Sequence, residues 1–202
     1  MNRIGLQKSG PRTAKRGMAI AILLGTVTST FIGAIAAQAV RLRDGHVYFE
    51  AIPRLTYAAV SRDSIADRNA KYYFELSIPP DAGEALQQID ITQQNGRTVT
   101  GTVEFDLGDS RAFEGQRRDR GPELTIGRHD LNPETHTTTV IFDPPVAPGT
   151  DFTLQLTAKR NPRQAGIYLF GVTVYPVGDS PYGQFLGFSR FHIYERHYFP
   201  EL

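Results

Sequence analysis

"KYYFELSI", residues 71–78, is the stretch whose reading decides the fold. Tyr72, Phe74, Leu76 and Ile78 fall on one face of an extended chain, with Tyr73, Glu75 and Ser77 on the other. Alternation with a period of two marks a half-buried β-strand. The same grammar extends outward. "THTTTVIF" (135–142) is rich in Thr and β-branched residues, as strands are. "DFTLQLTA" (151–158) places Phe152, Leu154, Leu156 and Ala158 on one side and polar residues on the other. "GIYLFGVTVYP" (166–176) is apolar on both faces, which predicts a central strand covered on both sides. "FLGFSRFHIYE" (185–195) reads as the last strand, with Gly187 a bulge or a point of close approach. Weaker strand signals lie at 46–50, 88–93, 98–106 and 123–127.

Turn signals separate these runs: Pro79-Pro80, Asn95-Gly96 as a hairpin pair, and "DPPVAPG" (143–149). Two short helical turns are expected, at "PPDAGEALQQ" (79–88) and "RDSIADRNA" (62–70). No sustained helical period follows residue 40, and strands recur about every ten residues. The predicted fold class is therefore all-β, a single Ig-like two-sheet β-sandwich over 40–202 with one or two short helical turns. A closed barrel is the alternative.

Residues 1–39 read as an export signal, expected to form a signal helix ahead of the sandwich. Arg3, Lys8, Arg12, Lys15 and Arg16 make a basic start without an acidic residue, and an apolar run covers about 18–36. It ends in Ala37-Gln38-Ala39, the small-x-small pattern that a signal peptidase pocket admits, so cleavage is expected after Ala39. The alternative is a membrane anchor through residues 18–36, a run of about bilayer-spanning length that Thr26, Thr28, Ser29 and Thr30 dilute. Export to the periplasm or cell envelope is the expected localisation.

The whole chain carries 22 Lys+Arg against 21 Asp+Glu. Without the first 39 residues the balance is 17 against 21, so the basic character belongs to the leader. The cluster Arg117-Arg118-Asp119-Arg120 is interrupted by acid and followed by Gly121-Pro122, and reads as a solvated loop. Nothing here resembles the clustered cations that meet a phosphate backbone, so no nucleic-acid partner is expected. The chain has no Cys, which excludes disulfides, thiolate metal sites and a cysteine nucleophile.

Few residues carry a motif for catalysis. There is no G-x-S-x-G elbow and no phosphate-binding glycine loop. His192, Glu195 and His197 are the only clustered metal-ligand types near a His, and a strand would point His192 and Glu195 to opposite faces. Asp106 and Asp109, and Asp130, Asn132 and Glu134, have the oxygen donors a calcium loop uses, but such residues also serve as turn chemistry. No cofactor is expected.

Taken together, "DGHVYFEAIPRL" (44–55), "YYFELSIPPDAGEALQQIDITQ" (72–93), "AFEG" (112–115) and the segment from "FDPPVAPG" through "FHIYE" are similar to a family of small exported cyanobacterial proteins of the DUF2808 type, known only as a domain of unknown function. The resemblance runs in the same order along nearly all of 40–202. It implies an exported protein at the periplasm or membrane surface, and it transfers no catalytic residue.

The first functional reading is a non-catalytic β-sandwich that binds an envelope protein, a polysaccharide or the membrane surface, or that serves a structural role. The alternatives are a cell-wall or glycan hydrolase using dispersed carboxylates, and a carbohydrate-binding module. The last would need coplanar exposed aromatics, and the chain has no Trp. The predicted partner contact lies in the loop 176–188, where Tyr182, Gln184 and Phe185 project from a Pro- and Gly-rich turn. The competing reading has Tyr182 and Phe185 closing the end of the sandwich.

Overall fold

The computed structural model describes residues 40–41, 45–94 and 101–195. The expected leader, with its expected cleavage residues Ala37 and Ala39, the Asn95-Gly96 pair and His197 lie outside the described residues. Among the described residues the unit Ala36–Leu202 has twelve strands: β1 (Val40–Arg41), β2 (Val47–Tyr48), β3 (Arg54–Val60), β4 (Arg68–Ser77), β5 (Leu86–Gln94), β6 (Glu104–Gln116), β7 (Asp119–Leu124), β8 (Ile126–Asn132), β9 (Thr137–Val146), β10 (Asp151–Arg160), β11 (Gly166–Pro176) and β12 (Gln184–Ile193).

Two five-stranded antiparallel sheets form a β-sandwich, in the orders β3-β4-β10-β6-β7 and β12-β11-β5-β9-β8, with β1 and β2 as a small separate pair. Four hairpins, β3–β4, β6–β7, β8–β9 and β11–β12, each stay within one sheet, while β5 and β10 are the central strands. The period-two pattern of residues 71–78 is realised in β4 and its exit. Tyr72, Phe74, Leu76 and Ile78 are all 1 % exposed or less. They meet Phe152, Leu154 and Leu156 of β10 alongside, and Phe170 and Phe191 across the core. Edge-to-face packing recurs through this centre, as between Tyr72 and Phe191 at 4.9 Å and Phe142 and Phe152 at 5.7 Å, the geometry that ring quadrupoles favour.

Both helical turns expected from the sequence are absent. Residues 79–85 form a turn closed by the Ala82 N–H donating to the Pro79 carbonyl, and β5 already begins at Leu86. The Ala82 carbonyl accepts the Glu50 N–H instead of continuing a helix. In 62–70 the donors are likewise drawn away: the Ile65 N–H bonds the Tyr194 carbonyl and the Ala66 N–H the Pro162 carbonyl. Ala66 and Asn69 also sit at φ of 57° and 56°, which a right-handed helix does not tolerate. Partners from distant strands outbid the local pattern.

Burial of the two apolar-rich strands is the reverse of the expectation. β11 is the second strand of its sheet and is covered on one face only: Tyr168, Phe170, Val172 and Val174 are buried, whereas Ile167 is 45 % exposed and Leu169, Thr173 and Tyr175 are half-buried. β10 is the strand covered on both faces. Its outward Thr153, Gln155 and Thr157 are at most 3 % exposed because β6 and the β6–β7 turn wrap over them. The Thr153 hydroxyl donates to the Gly115 carbonyl at 2.7 Å, and the Thr157 hydroxyl to the Asp109 carbonyl at 3.0 Å.

Two further departures concern boundaries. The strand expected at 98–106 starts at Glu104 and runs on to Gln116, and the one expected at 123–127 is split between β7 and β8 as the chain crosses from one sheet to the other at Thr125. β3 carried no recognised alternation. Among the described residues no helix is long and apolar enough to cross a membrane.

Candidate functional site: an aromatic face on the last hairpin

Seven large hydrophobic side chains are prominently exposed among the described residues, and five of them belong to the β11–β12 hairpin or its ends: Ile167, Tyr182, Phe185, Phe188 and Tyr194. Ser189, Phe191 and Ile193 are buried, which fixes the inward phase of β12 and turns Phe188, Arg190 and His192 outward. Strict alternation would send Phe185, three residues before Phe188, to the core. A bulge prevents this. The register steps from Val172↔Gly187 to Thr173↔Phe185, and Gly187 takes a φ of 129°, which L side chains rarely adopt. Phe185 and Phe188 therefore share the outer face, each 55 % exposed, with ring centroids 5.0 Å apart at 67°.

The pair has a seat. Gly171 faces outward on β11 directly beneath it, and a Cβ there would meet Phe185 Cε2 at 3.1 Å and Phe188 Cε1 at 3.4 Å. Beyond this seat the face turns polar. Asp90 on β5 accepts from the Thr139 hydroxyl at 2.8 Å and from Gln88 Nε2 at 2.9 Å, and Thr92 bonds Thr137 at 2.9 Å. Partial burial, with Asp90 beside it, pushes the Tyr175 phenol up to about 12.

Of the residues predicted for the contact, Tyr182 lies in the loop before β12, whereas Gln184 and Phe185 are in the strand itself. Tyr182 is 49 % exposed and stacks on Tyr48 at 4.8 Å. Its N–H donates to the Val47 carbonyl, and the Val47 N–H to the Ser180 carbonyl, so the loop is zipped to β2. Gln184 pairs with Val174 and its Oε1 is buried, away from the aromatic pair. The sequence reading names Phe185 and not Phe188, because alternation alone does not bring the two to one face.

A second surface covers the outer face of the other sheet. The Arg-rich turn expected to be a solvated loop is docked there: the Arg117 guanidinium lies 5.3 Å from the Tyr73 ring centre and that of Arg120 4.6 Å from the Phe113 ring centre. The Arg117 N–H donates to Glu75 Oε1 at 3.0 Å, and Arg120 Nη2 to Gln155 Oε1 at 3.4 Å. Hollows of about 250 and 280 Å³ flank the turn, each lined by one carboxylate, Glu75 and Glu123 respectively. Two further hollows, of about 330 and 390 Å³, again have one carboxylate each, Glu123 and Glu104. None of these four offers the two facing carboxylates that glycoside hydrolysis uses.

The oxygen-rich loops act as turn chemistry. Asp106 Oδ1 accepts the Gly108 N–H, and Asn132 Oδ1 accepts those of Glu134 and Thr135. Among the described residues no group of three metal-ligand side chains converges. His192 instead stacks on Tyr194, with centroids 6.2 Å apart.

Residues 46–193 match the family described as "Protein of unknown function (DUF2808)". The chain belongs to the DUF2808 family. No curated protein matches this DUF2808 chain. Among solved structures it is similar to the N-terminal domain of the Streptococcus gordonii adhesin Sgo0707, with 12% identity, 75% of this chain and 34% of that one covered, and a TM-score of 0.44. It is similar to BslA, a bacterial hydrophobin, with 15% identity, 73% and 98% covered, and a TM-score of 0.39. The collagen-binding domain from a Staphylococcus aureus adhesin shows 7% identity, 63% and 89% covered, and a TM-score of 0.35. Likeness this distant carries no argument about what the DUF2808 chain binds.

Proposed function

We propose that this protein is an exported, non-catalytic β-sandwich of the cell envelope that works by surface contact through the outer face of β11 and β12. One observation carries the reading: Phe185 and Phe188 are held outward together by a bulge and a glycine seat, although burying them would have been favourable. A fold that spends two special backbone positions on exposing two phenyl rings is built to present them. Export is supported by the basic start, the apolar run and the Ala37-Gln38-Ala39 motif ahead of the sandwich. Tyr182 extends the contact at the loop end, and Gln184 supports it from within the strand.

The sugar-stacking alternative fares less well on this face. Sugar rings stack on parallel platforms, whereas the two phenyl planes lie 67° apart. The test is cell fractionation of the tagged full chain with and without Phe185→Ala and Phe188→Ala. Retention of the parent in the envelope fraction, and release of the double variant into the soluble periplasm with unchanged thermal stability, is the expected result. Equal distribution of the two would remove the contact face. N-terminal sequencing of the same material checks cleavage after Ala39.

A further inference from the structure

We propose that the partner of this face is a lipid bilayer, with Phe185, Phe188 and Ile167 entering the interfacial zone and Arg190 meeting lipid phosphates. The inference rests on the contact face proposed above and names its occupant.

Two observations favour lipid over a protein. The first is area. Five side chains that are each about half exposed offer on the order of 400 Å² of apolar surface, about half of what one partner contributes to a stable protein interface. A bilayer sets no such threshold, because shallow insertion of a few rings is enough to hold a peripheral domain when cations assist.

The second is the distribution of chemistry. Along the outer face Phe185 and Phe188 lie towards the loop, Arg190 follows them, and Ile167 lies beside His192 near the open end. Tyrosines stand beyond both: Tyr182 with its stacking partner Tyr48 at the loop, Tyr194 at the open end. Apolar groups flanked by amphipathic rings suit the headgroup boundary, where such rings partition. Arg190 projects from the same face of β12 and makes no ion pair among the described residues, and its guanidinium suits phosphate oxygens.

A second copy adding to the edge of β12 is disfavoured by the bulge at Leu186–Gly187 and by the Tyr194 N–H and carbonyl, which already bond Asp63 and Ile65.

The experiment uses the unit Ala36–Leu202, which carries the described core from Phe49 to Ile193. Vesicles of phosphatidylcholine alone, and of equal parts phosphatidylcholine and phosphatidylglycerol, are floated with the protein. Binding is expected, stronger with the anionic lipid. It should fall about tenfold or more in the Phe185→Ala, Phe188→Ala double variant. Arg190→Glu, which removes no packing, should erase the preference for anionic lipid. Quenching of tyrosine fluorescence by lipid-borne bromine, lost in the double variant, would place Tyr182 and Tyr194 at the bilayer surface. Vesicle binding that survives the double variant overturns the proposal. Absence of binding by the parent, while the fractionation difference persists, overturns the lipid assignment and leaves the contact face standing. A concentration-dependent dimer abolished by the double variant would replace lipid with a second copy.

Discussion

Gly187 shows how one backbone position sets which surface the protein presents. At φ of 129° it lets β12 gain a residue against β11, so that Phe185 and Phe188 land on one face despite their odd spacing. Gly187→Ala is expected to cost about 1–3 kcal/mol, since a side chain there is strained although nothing lies within 4 Å of the added Cβ. Chemical denaturation measures the loss. If the strain is instead relieved by slipping the register, strict alternation turns Phe185 inward and its solvent exposure falls, which the solvent response of a fluorine label on the Phe185 ring would detect. Gly187 as a point of special geometry was legible from its place in a strand. The consequence for Phe185 was not, because register belongs to the pairing of two strands.

Among the elements, the β11–β12 hairpin and β2 act together. The connecting loop bonds β2 through Val47, Ser180 and Tyr182, and the Tyr48–Tyr182 stack covers that zipper. Tyr182→Ala should therefore lower stability by about 1 kcal/mol, the worth of one aromatic pair, and should raise hydrogen exchange at the Val47 and Tyr182 amides. Unchanged exchange would show the stack to be idle. Tyr182 thus covers β2 while remaining half exposed. The two helical turns failed for a related reason. Residues 62–70 and 79–88 have helical composition, yet their N–H and carbonyl groups are claimed by Glu50 after β2, Tyr194 after β12 and Pro162 after β10, and tertiary partners override local preference.

Across the whole molecule, buried phenols couple the fold to alkaline pH. Tyr72 donates to Asn161 Oδ1 at 2.8 Å in the core, and burial raises its pKa, with Tyr168 adding to the effect. Tyr168 is raised by burial as well, and Tyr175 to about 12 by burial and then by Asp90. Each folded value lies above the ordinary 10, so the unfolded chain releases these protons first. Their contribution is complete below pH 10 and is lost as pH rises through the folded values. Stability measured by denaturant titration should fall between pH 10 and 12, and Tyr175→Phe should make that fall shallower. An unaltered slope would mean that Asp90 and burial do not hold the Tyr175 proton.

What the sequence determined by itself was the class of fold and the inward residues of most strands. Period-two alternation needs only the chain's own geometry, and Tyr72, Phe74, Leu76 and Ile78 are buried as it requires. Membership of the DUF2808 family was legible as well, since it runs through the order of motifs along the chain. Only the tertiary structure decided which strand is covered twice and which side chains share an outer face. The Thr153, Gln155 and Thr157 side of β10 is buried because the β6–β7 turn lays Arg120 and the β6 backbone over it, contacts that no local pattern encodes. For the same reason the loop expected over 176–188 gives way to strand at Gln184. Sheet order leaves the outer face of β11 open, and the bulge then fills that opening with Phe185 and Phe188. Coverage of a face is a property of neighbours, and neighbours are chosen when the sheets assemble.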